Sequence, residues 1–230
     1  MKKKLLVLTG AGISAESGIQ TFRDSDGLWE GHNVNDVATP EGWARNPELV
    51  MDFYNKRRAQ LHTVLPNLAH EILVDLEKDF DVSIITQNVD NLHEKAGSTN
   101  VLHLHGELLK VRSTKNSKHI FDWHNDLTFN DFDDNGHQLR PHIVWFGEEV
   151  PELENAVNIV QQADIVIIIG TSLQVYPAAS LMNFAQENIP VYYVDLKLAE
   201  ILDAPLNLKI IAATASKGLQ SIQKELMKLK

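Results

Sequence analysis

The chain has 230 residues, of which 43% are hydrophobic and 23% charged, and a formal charge of −10. That size and mix suit a globular α/β domain with an inserted lobe, and the negative charge opposes non-specific binding to nucleic acid or anionic membranes. No cysteine is present, which excludes disulfides and thiolate metal sites and agrees with a reducing cytoplasm.

Lys2, Lys3 and Lys4 lead into the apolar run Leu5–Leu8. The run ends at Thr9-Gly10, too short for a signal-peptide core, and reads as a buried strand of a parallel sheet. From Asp24 to about Pro66 no strand is predicted, but two helical segments are, one of them Pro47–Leu61. Val82–Ile85 is a second buried-type strand. Arg112–Arg140 is polar, rich in Asp, Asn, His and Lys, and carries no clear period. Further strands are predicted at Ile143–Phe146, Asp164–Ile169, Val191–Val194 and Ile210-Ile211. Apolar residues at three- and four-residue spacing predict helices over Leu153–Gln162, Ala178–Glu187 and Leu219–Leu229. No run approaches the ~20 apolar residues of a membrane span.

Strands alternating with helices predict an α/β fold: a Rossmann-like parallel sheet with helices on both faces, plus a smaller lobe made of two insertions. The expected division is a Rossmann-like domain of residues 1–30, 67–111 and 139–230, and a lobe of residues 31–66 and 112–138. Ligands of such sheets sit beyond the carboxyl ends of the strands. Small and polar residues recur there: Gly10-Ala11-Gly12, Thr86 to Asp90, Gly147-Glu148, Gly170-Thr171-Ser172 and Asp195.

Gly10-Ala11-Gly12-Ile13-Ser14-Ala15 fits the glycine-rich turn of dinucleotide sites, where backbone N–H groups approach a pyrophosphate. A purely structural turn is the bland reading. The sequence then departs from a simple dehydrogenase, because Ser17 to Arg23 leads into the insertion rather than toward a strand bearing a ribose-binding acid. Gln87, Asn88 and Asp90 offer directional hydrogen bonds to a polar ligand, although an Asx turn and helix cap explain the same residues locally. His103 and His105 alternate as on a strand, and a neutral imidazole is the natural base near neutral pH. Taken locally, a satisfied core histidine or half a metal site fits either of them as well.

The ordered set GAGISAESGIQTFR, TQNVDNLHEKAG, HLHGEL, VWFGE and GTSLQVYPAA resembles the sirtuin (Sir2-like) family from Lys4 to about Ser216. The resemblance implies an NAD-dependent deacylase that removes acyl groups from protein lysines, releasing nicotinamide and O-acyl-ADP-ribose. It selects His105, directly before Gly106, as the general base, with Asn88 and Asp90 as further catalytic residues. It assigns NAD binding to Gly10, Ala11, Gly12, Ser14, Ala15, Ile19, Phe22 and Arg23 in the first loop and its cover. Gln87, Asn88 and Asp90 would line the ribose and nicotinamide pocket, and Gly170, Thr171 and Ser172 would hold phosphate and ribose oxygens. Asp195 would meet a ribose hydroxyl, and the backbone of Ala215 the adenine. Asp195-Leu196-Lys197 departs from the Asn-Leu-Glu common in the family, so Lys197 reverses a charge.

Tyr54 and Arg57, three apart on a helix, form a carboxylate receptor by residue type. With Ala38 they resemble the class III members, which accept succinyl- and malonyl-lysine. The bland reading is a solvated basic helix, since Lys56 and Arg58 adjoin Arg57. Val144, Phe146, Gly147, Glu148 and Val175 are expected to receive the acyl-lysine segment. The family's zinc cysteines are missing, so no metal and no zinc are expected; packing of Ile120, Phe121, Trp123, Phe129 and Phe132 is expected to replace it. Two other functions remain open: ADP-ribosyl transfer or NAD hydrolysis from the same pocket, and a non-catalytic NAD- or ADP-ribose-binding module. The expected partners are acyl-lysine proteins or peptides, with no nucleic acid and no membrane, and the expected state is a cytoplasmic monomer.

Overall fold

The computed structural model describes residues 1–20, 28–199 and 207–230. In its first half lie β1 (Lys4–Thr9), two 3-10 turns (Ala11–Ile13 and Ala15–Ser17), β2 (Leu28–Trp29), β3 (His32–Asn33), α1 (Val34–Val37), α2 (Pro40–Arg45), α3 (Pro47–Leu61), α4 (Leu68–Leu76), β4 (Asp81–Thr86) and α5 (Leu92–Ala96). There follow β5 (Val101–His103), β6 (Gly106–Ser113), β7 (Ile120–Asp122), β8 (Leu139–Ile143), α6 (Leu153–Gln161), β9 (Ile165–Ile169), a 3-10 helix (Ala178–Phe184), β10 (Val191–Asp195), β11 (Leu208–Ala212) and α7 (Ala215–Leu226).

Uninterrupted aliphatic strands can be satisfied only where both faces are covered. Here they form a six-stranded sheet in the order β11-β10-β9-β1-β4-β5, and every pairing in it is parallel. Alternate residues divide the core in two. Leu5, Val7, Ile84, Ile165, Ile167 and Ile169 pack under α4 and α7. Leu6, Leu8, Ile85, Val166 and Ile168 pack against α6 and the Ala178–Phe184 helix. Each fully buried aliphatic side chain contributes about 1.5–3 kcal/mol. The chain runs outward from β1 through β4 to β5, then returns to the other side of β1 at β9. That reversal is the switch point at which open α/β sheets bind ligands.

Two helix starts show why the insertion folds locally. Thr39 accepts from the N–H of Gly42 and precedes Pro40, and Asn46 accepts from the N–H of Leu49 and precedes Pro47. A side-chain cap followed by proline at the first helical position is a strong start signal. The region expected to hold two helical segments contains α1, α2 and α3, together with the short β2–β3 hairpin that was not expected.

Ile143–Phe146 is not a strand of the parallel sheet. The strand is Leu139–Ile143, and it pairs antiparallel with β6 in a separate three-stranded sheet of order β7-β6-β8. Aliphatic composition cannot distinguish these two settings. The helix expected at Ala178–Glu187 is a 3-10 helix ending at Phe184, and α7 begins four residues earlier than expected, at Ala215. In the cysteine-free lobe, Phe121 and Trp123 pack with Met51, Val111, Leu127 and Leu139. Ile120, Phe129 and Phe132 are instead exposed, so they do not build that core. Polar bonds carry much of the work: Asn55 donates to the carbonyl of Leu127 and accepts from its N–H. Asp133 accepts from the N–H groups of Asn135 and His137. No helix among the described residues is long and apolar enough to cross a membrane.

Candidate active site

The ends of β1, β4, β9 and β10 open into a cavity of about 390 Å³ at the switch point. It is lined by Gly10, Ala11, Gly12, Ala15 and Ile19 after β1, and by Gln87, Asn88 and Asp90 after β4. His105, Val144, Phe146, Gly147 and Glu148 form another wall, with Gly170, Thr171, Ser172, Val175, Asp195 and Ala215 completing it. These were all expected at a site on sequence grounds. Phe22 and Arg23 lie outside the described residues.

The first loop makes two 3-10 turns rather than a helix. Its glycines are required by close approach to the β9 loop. A Cβ on Gly12 would lie 2.5 Å from Gly170 Cα, and the N–H of Gly12 donates to Gly170 O at 2.8 Å. Gly170 has φ of 64°, a left-handed conformation that favours glycine.

Ser14 is fully buried behind the cavity wall and links two lining residues. Asn88 Nδ2 donates to Ser14 Oγ at 3.1 Å, and Ser14 Oγ donates to Asp90 Oδ2 at 3.0 Å. Asp90 Oδ1 accepts from the N–H of Leu92. Burial raises the Asp90 pKa, and these donors oppose that rise. Gln87 is held by donation to Thr171 Oγ1 at 3.1 Å, which ties the β4 loop to the β9 loop.

The two histidines separate clearly. His105 lines the cavity, and its Nδ1 lies 3.1 Å from the carbonyl oxygen of Gln87. A carbonyl only accepts, so Nδ1 carries the proton and Nε2 is left as the acceptor. Burial lowers the His105 pKa against the opposing effect of that carbonyl, which favours the neutral ring. His103 is not a lining residue. Its Nδ1 meets Asn88 O at 3.0 Å and its Nε2 meets Glu94 Oε1 at 2.8 Å, so both nitrogens are used structurally. Burial opposes its charge, but Glu94 outweighs burial and raises its pKa.

Ala38, Tyr54 and Arg57 do not line the cavity; Ala38 and Tyr54 belong to the same apolar cluster as Trp29 and Trp145, which do, and Arg57 rests on Phe53 of that cluster. Tyr54 is fully buried, and its hydroxyl accepts from Trp145 Nε1 at 3.1 Å. Burial raises its pKa and keeps the phenol protonated. The backbone carbonyl of Ala38 accepts from the N–H of Phe146. Arg57 sits over the Phe53 ring, 4.5 Å from its centroid, and pairs with Glu30 at 3.3 Å.

Glu148 is more constrained than a simple lining residue. Arg112 Nη2 donates to both of its oxygens at 3.1 and 2.9 Å, Arg140 Nη1 donates to Oε1 at 2.7 Å, and Arg140 Nη2 to Oε2 at 3.2 Å. The N–H of Trp145 adds a bond at 2.8 Å. Its carboxylate therefore braces the 144–148 loop against β6 and β8.

Sequence reasoning did not single out Glu16, Trp29, Trp145, Tyr176 or Thr214, all of which line the cavity. Glu16 accepts from the N–H of Ser216 at 2.9 Å and so caps α7 from the first loop. An acid near a helix N-terminus is favourable, but nothing in local sequence joins residues 200 positions apart. Thr214 has a buried hydroxyl with no hydrogen-bond partner. Close-packed loop backbones at β1 and β9, hydroxyls at Thr171 and Ser172, amides after β4 and a carboxylate at Asp195 together suit a ligand with phosphates and sugar hydroxyls.

A Sir2 family model matches residues 10–177. An NAD-dependent protein deacylase of Helicobacter pylori is 54% identical over 227 residues, covering 99% of this chain and 99% of that protein. The crystal structure of a Sir2 homolog–NAD complex superposes with a TM-score of 0.87 at 37% identity, covering 99% of this chain and 91% of the other. A Sir2 structure holding a deacetylated p53 peptide and 3′-O-acetyl ADP ribose has a TM-score of 0.80 at 28% identity, covering 97% and 94%.

Proposed function

The chain belongs to the Sir2 family, and from this we infer that it is an NAD-dependent protein deacylase with His105 as its base. The observation that carries the role of His105 is its hydrogen bond to Gln87 O, which leaves Nε2 as the acceptor in the cavity. Bound NAD would supply an electrophilic ribose carbon from which nicotinamide leaves, with free lysine and O-acyl-ADP-ribose as the other products. The donor set fits it: Asp195 suits a ribose hydroxyl, Thr171 and Ser172 suit phosphate or ribose oxygens, and Gln87, Asn88 and Asp90 suit the nicotinamide end. The chain's own contribution is to hold these groups and to accept a ribose hydroxyl proton at His105 Nε2. Acyl-lysine proteins are the substrates, entering along Val144 to Glu148 and Val175, where Phe146 and Tyr176 remain exposed at the rim. The test is His105→Ala assayed with NAD and acyl peptides: nicotinamide release and O-acyl-ADP-ribose by mass spectrometry should both collapse. Normal turnover in that variant sinks the assignment, and modified protein in place of O-acyl-ADP-ribose supports ADP-ribosyl transfer instead.

Acidic acyl groups are the second part of the reading. Arg57 retains buried Nε and Nη1 groups without a hydrogen-bond acceptor, Tyr54 is a protonated phenol on the same helix face, and Ala38 is small. A carboxylate that reached this pair would be bound by charge-assisted bonds worth roughly 1.5–3 kcal/mol each. Arg57→Ala should lower desuccinylation about tenfold or more relative to deacetylation. Equal losses on acetyl and succinyl peptides would reject the acidic-acyl preference.

A further inference from the structure

Glu30 is the unexpected neighbour of the acyl-recognition pair. It occupies the first central position of the two-residue turn between β2 and β3, with φ of 49°, and Gly31 follows with φ of 82°. Positive φ at both central positions is the geometry of a I′ hairpin turn, which favours Asn, Asp and Gly. Glutamate there carries backbone strain that those residues would avoid. Its carboxylate nevertheless lies 3.3 Å from Arg57 Nη1, with the two side chains only 15% and 14% exposed. The contact is close but unsaturated, because Arg57 Nε and Nη1 have no hydrogen-bond acceptor. Phe53 fixes the guanidinium plane from one side.

Two electrostatic consequences follow. An unpaired guanidinium in this apolar cluster would penalise a neutral acyl chain, because the buried charge would find no counter-ion. With Glu30 beside it, Arg57 is already neutralised, and an arriving carboxylate must compete with a like charge. Resting on the reading of Arg57 as the acyl-carboxylate receptor, we propose that Glu30 is a specificity-determining residue: an internal stand-in for the acyl carboxylate that lets the enzyme accept neutral acyl groups and moderates its use of acidic ones. The strained turn holds that carboxylate in place.

The experiment compares Glu30→Gln, Glu30→Asn and Arg57→Ala with the wild type on matched acetyl- and succinyl-lysine peptides. Glu30→Asn suits the positive φ and guards against a variant that fails to fold; melting curves check all three. Steady-state kcat/KM is measured with NAD, and peptide Kd by calorimetry without it. In both Glu30 variants the succinyl-to-acetyl ratio of kcat/KM should rise roughly fivefold, the scale of a partly sheltered ion pair, and the succinyl peptide should bind correspondingly tighter. A ratio that is unchanged or lower overturns the competition. If Arg57→Ala collapses the ratio while the Glu30 variants fail to raise it, only the role of Glu30 falls. If Arg57→Ala leaves the ratio at the wild-type value, the carboxylate-receptor reading falls and the Glu30 proposal with it.

Discussion

Replacing Glu148 by Gln tests whether the 144–148 loop is held by charge. The substitution keeps size and one carbonyl acceptor but leaves Arg112, 6% exposed, and Arg140, 8% exposed, without their shared counter-ion. Arg140 cannot swing into solvent cheaply, because its Cζ lies 3.3 Å from the Trp145 ring centroid and its Nη2 also donates to Ile143 O. Removing one partner of a buried pair costs about 3–5 kcal/mol. Glu148 itself is 21% exposed, so the low end, about 3 kcal/mol, is expected. For a chain of this length that corresponds to a melting temperature roughly 6–12 °C lower. Urea denaturation gives the free energy, and peptide KM should rise more than kcat falls if the 144–148 loop receives the acyl-lysine segment as proposed. A loss below about 1 kcal/mol would place the pair in the class of weak surface bridges and refute the brace.

Three further outcomes follow from the same structure. His105→Ala should lower kcat by about 10²–10⁴-fold, and because burial lowers the His105 pKa, the wild type should lose activity only below pH 6.5, an acid limb above that value contradicting the neutral-base assignment. Burial depresses the His70 pKa to about 4, so its stabilising effect is complete above pH 6.5 and lost as pH falls from 6.5 toward 4. That loss is about 3 kcal/mol, and His70→Gln, which keeps a capping residue at this position, should flatten it in urea titrations; an unchanged pH slope would refute the linkage. EDTA should leave the melting curve unchanged, whereas Asp133→Ala should lower it by releasing the N–H groups of Asn135 and His137; a chelator-dependent shift would reveal a metal in the lobe.

The sheet was legible because its strands are uninterrupted aliphatic runs closed by small residues, such as Ile165–Ile169 before Gly170. The same signal misplaced Ile143–Phe146, because a buried antiparallel strand in a small lobe has the same composition as a parallel one. Most of the ring of polar and small residues was legible from strand ends, since Gly10–Gly12, Gln87–Asp90 and Gly170–Ser172 each follow a strand of the parallel sheet; Gly147 and Glu148 reach the cavity from a loop beyond β8 instead. The choice between His103 and His105 was legible only through the family motif, because both alternate identically; its physical ground lies in the partners Glu94 and Gln87 O, which separate a bracing ring from an open one. Glu16, Glu30 and the two arginines on Glu148 were invisible for another reason. Their partners lie far off in sequence or behind a turn, and a charged residue in isolation reads as solvated surface.

The lobe without cysteines shows how such long-range polar contacts divide the labour. Packing of Met51, Val111, Leu127 and Leu139 supplies cohesion, but cohesion alone does not fix the orientation of loops. Directional bonds do that: Asn55 closes on both backbone groups of Leu127, and Arg58 Nη1 donates to the same Asn55 oxygen while its Nε donates to Leu108 O. From β6 and β8 the arginines then reach Glu148, and Glu148 holds the backbone of Trp145, whose indole donates to Tyr54. The lobe is thereby connected, bond by bond, from its core to the Val144–Glu148 wall of the cavity. The route also touches His105, whose carbonyl accepts from the N–H of Val144, but the imidazole itself is oriented by Gln87 O, and Gln87 by Thr171. Weakening a link on this route should therefore raise peptide KM more than it lowers kcat, and the reverse order in steady-state kinetics would refute the division.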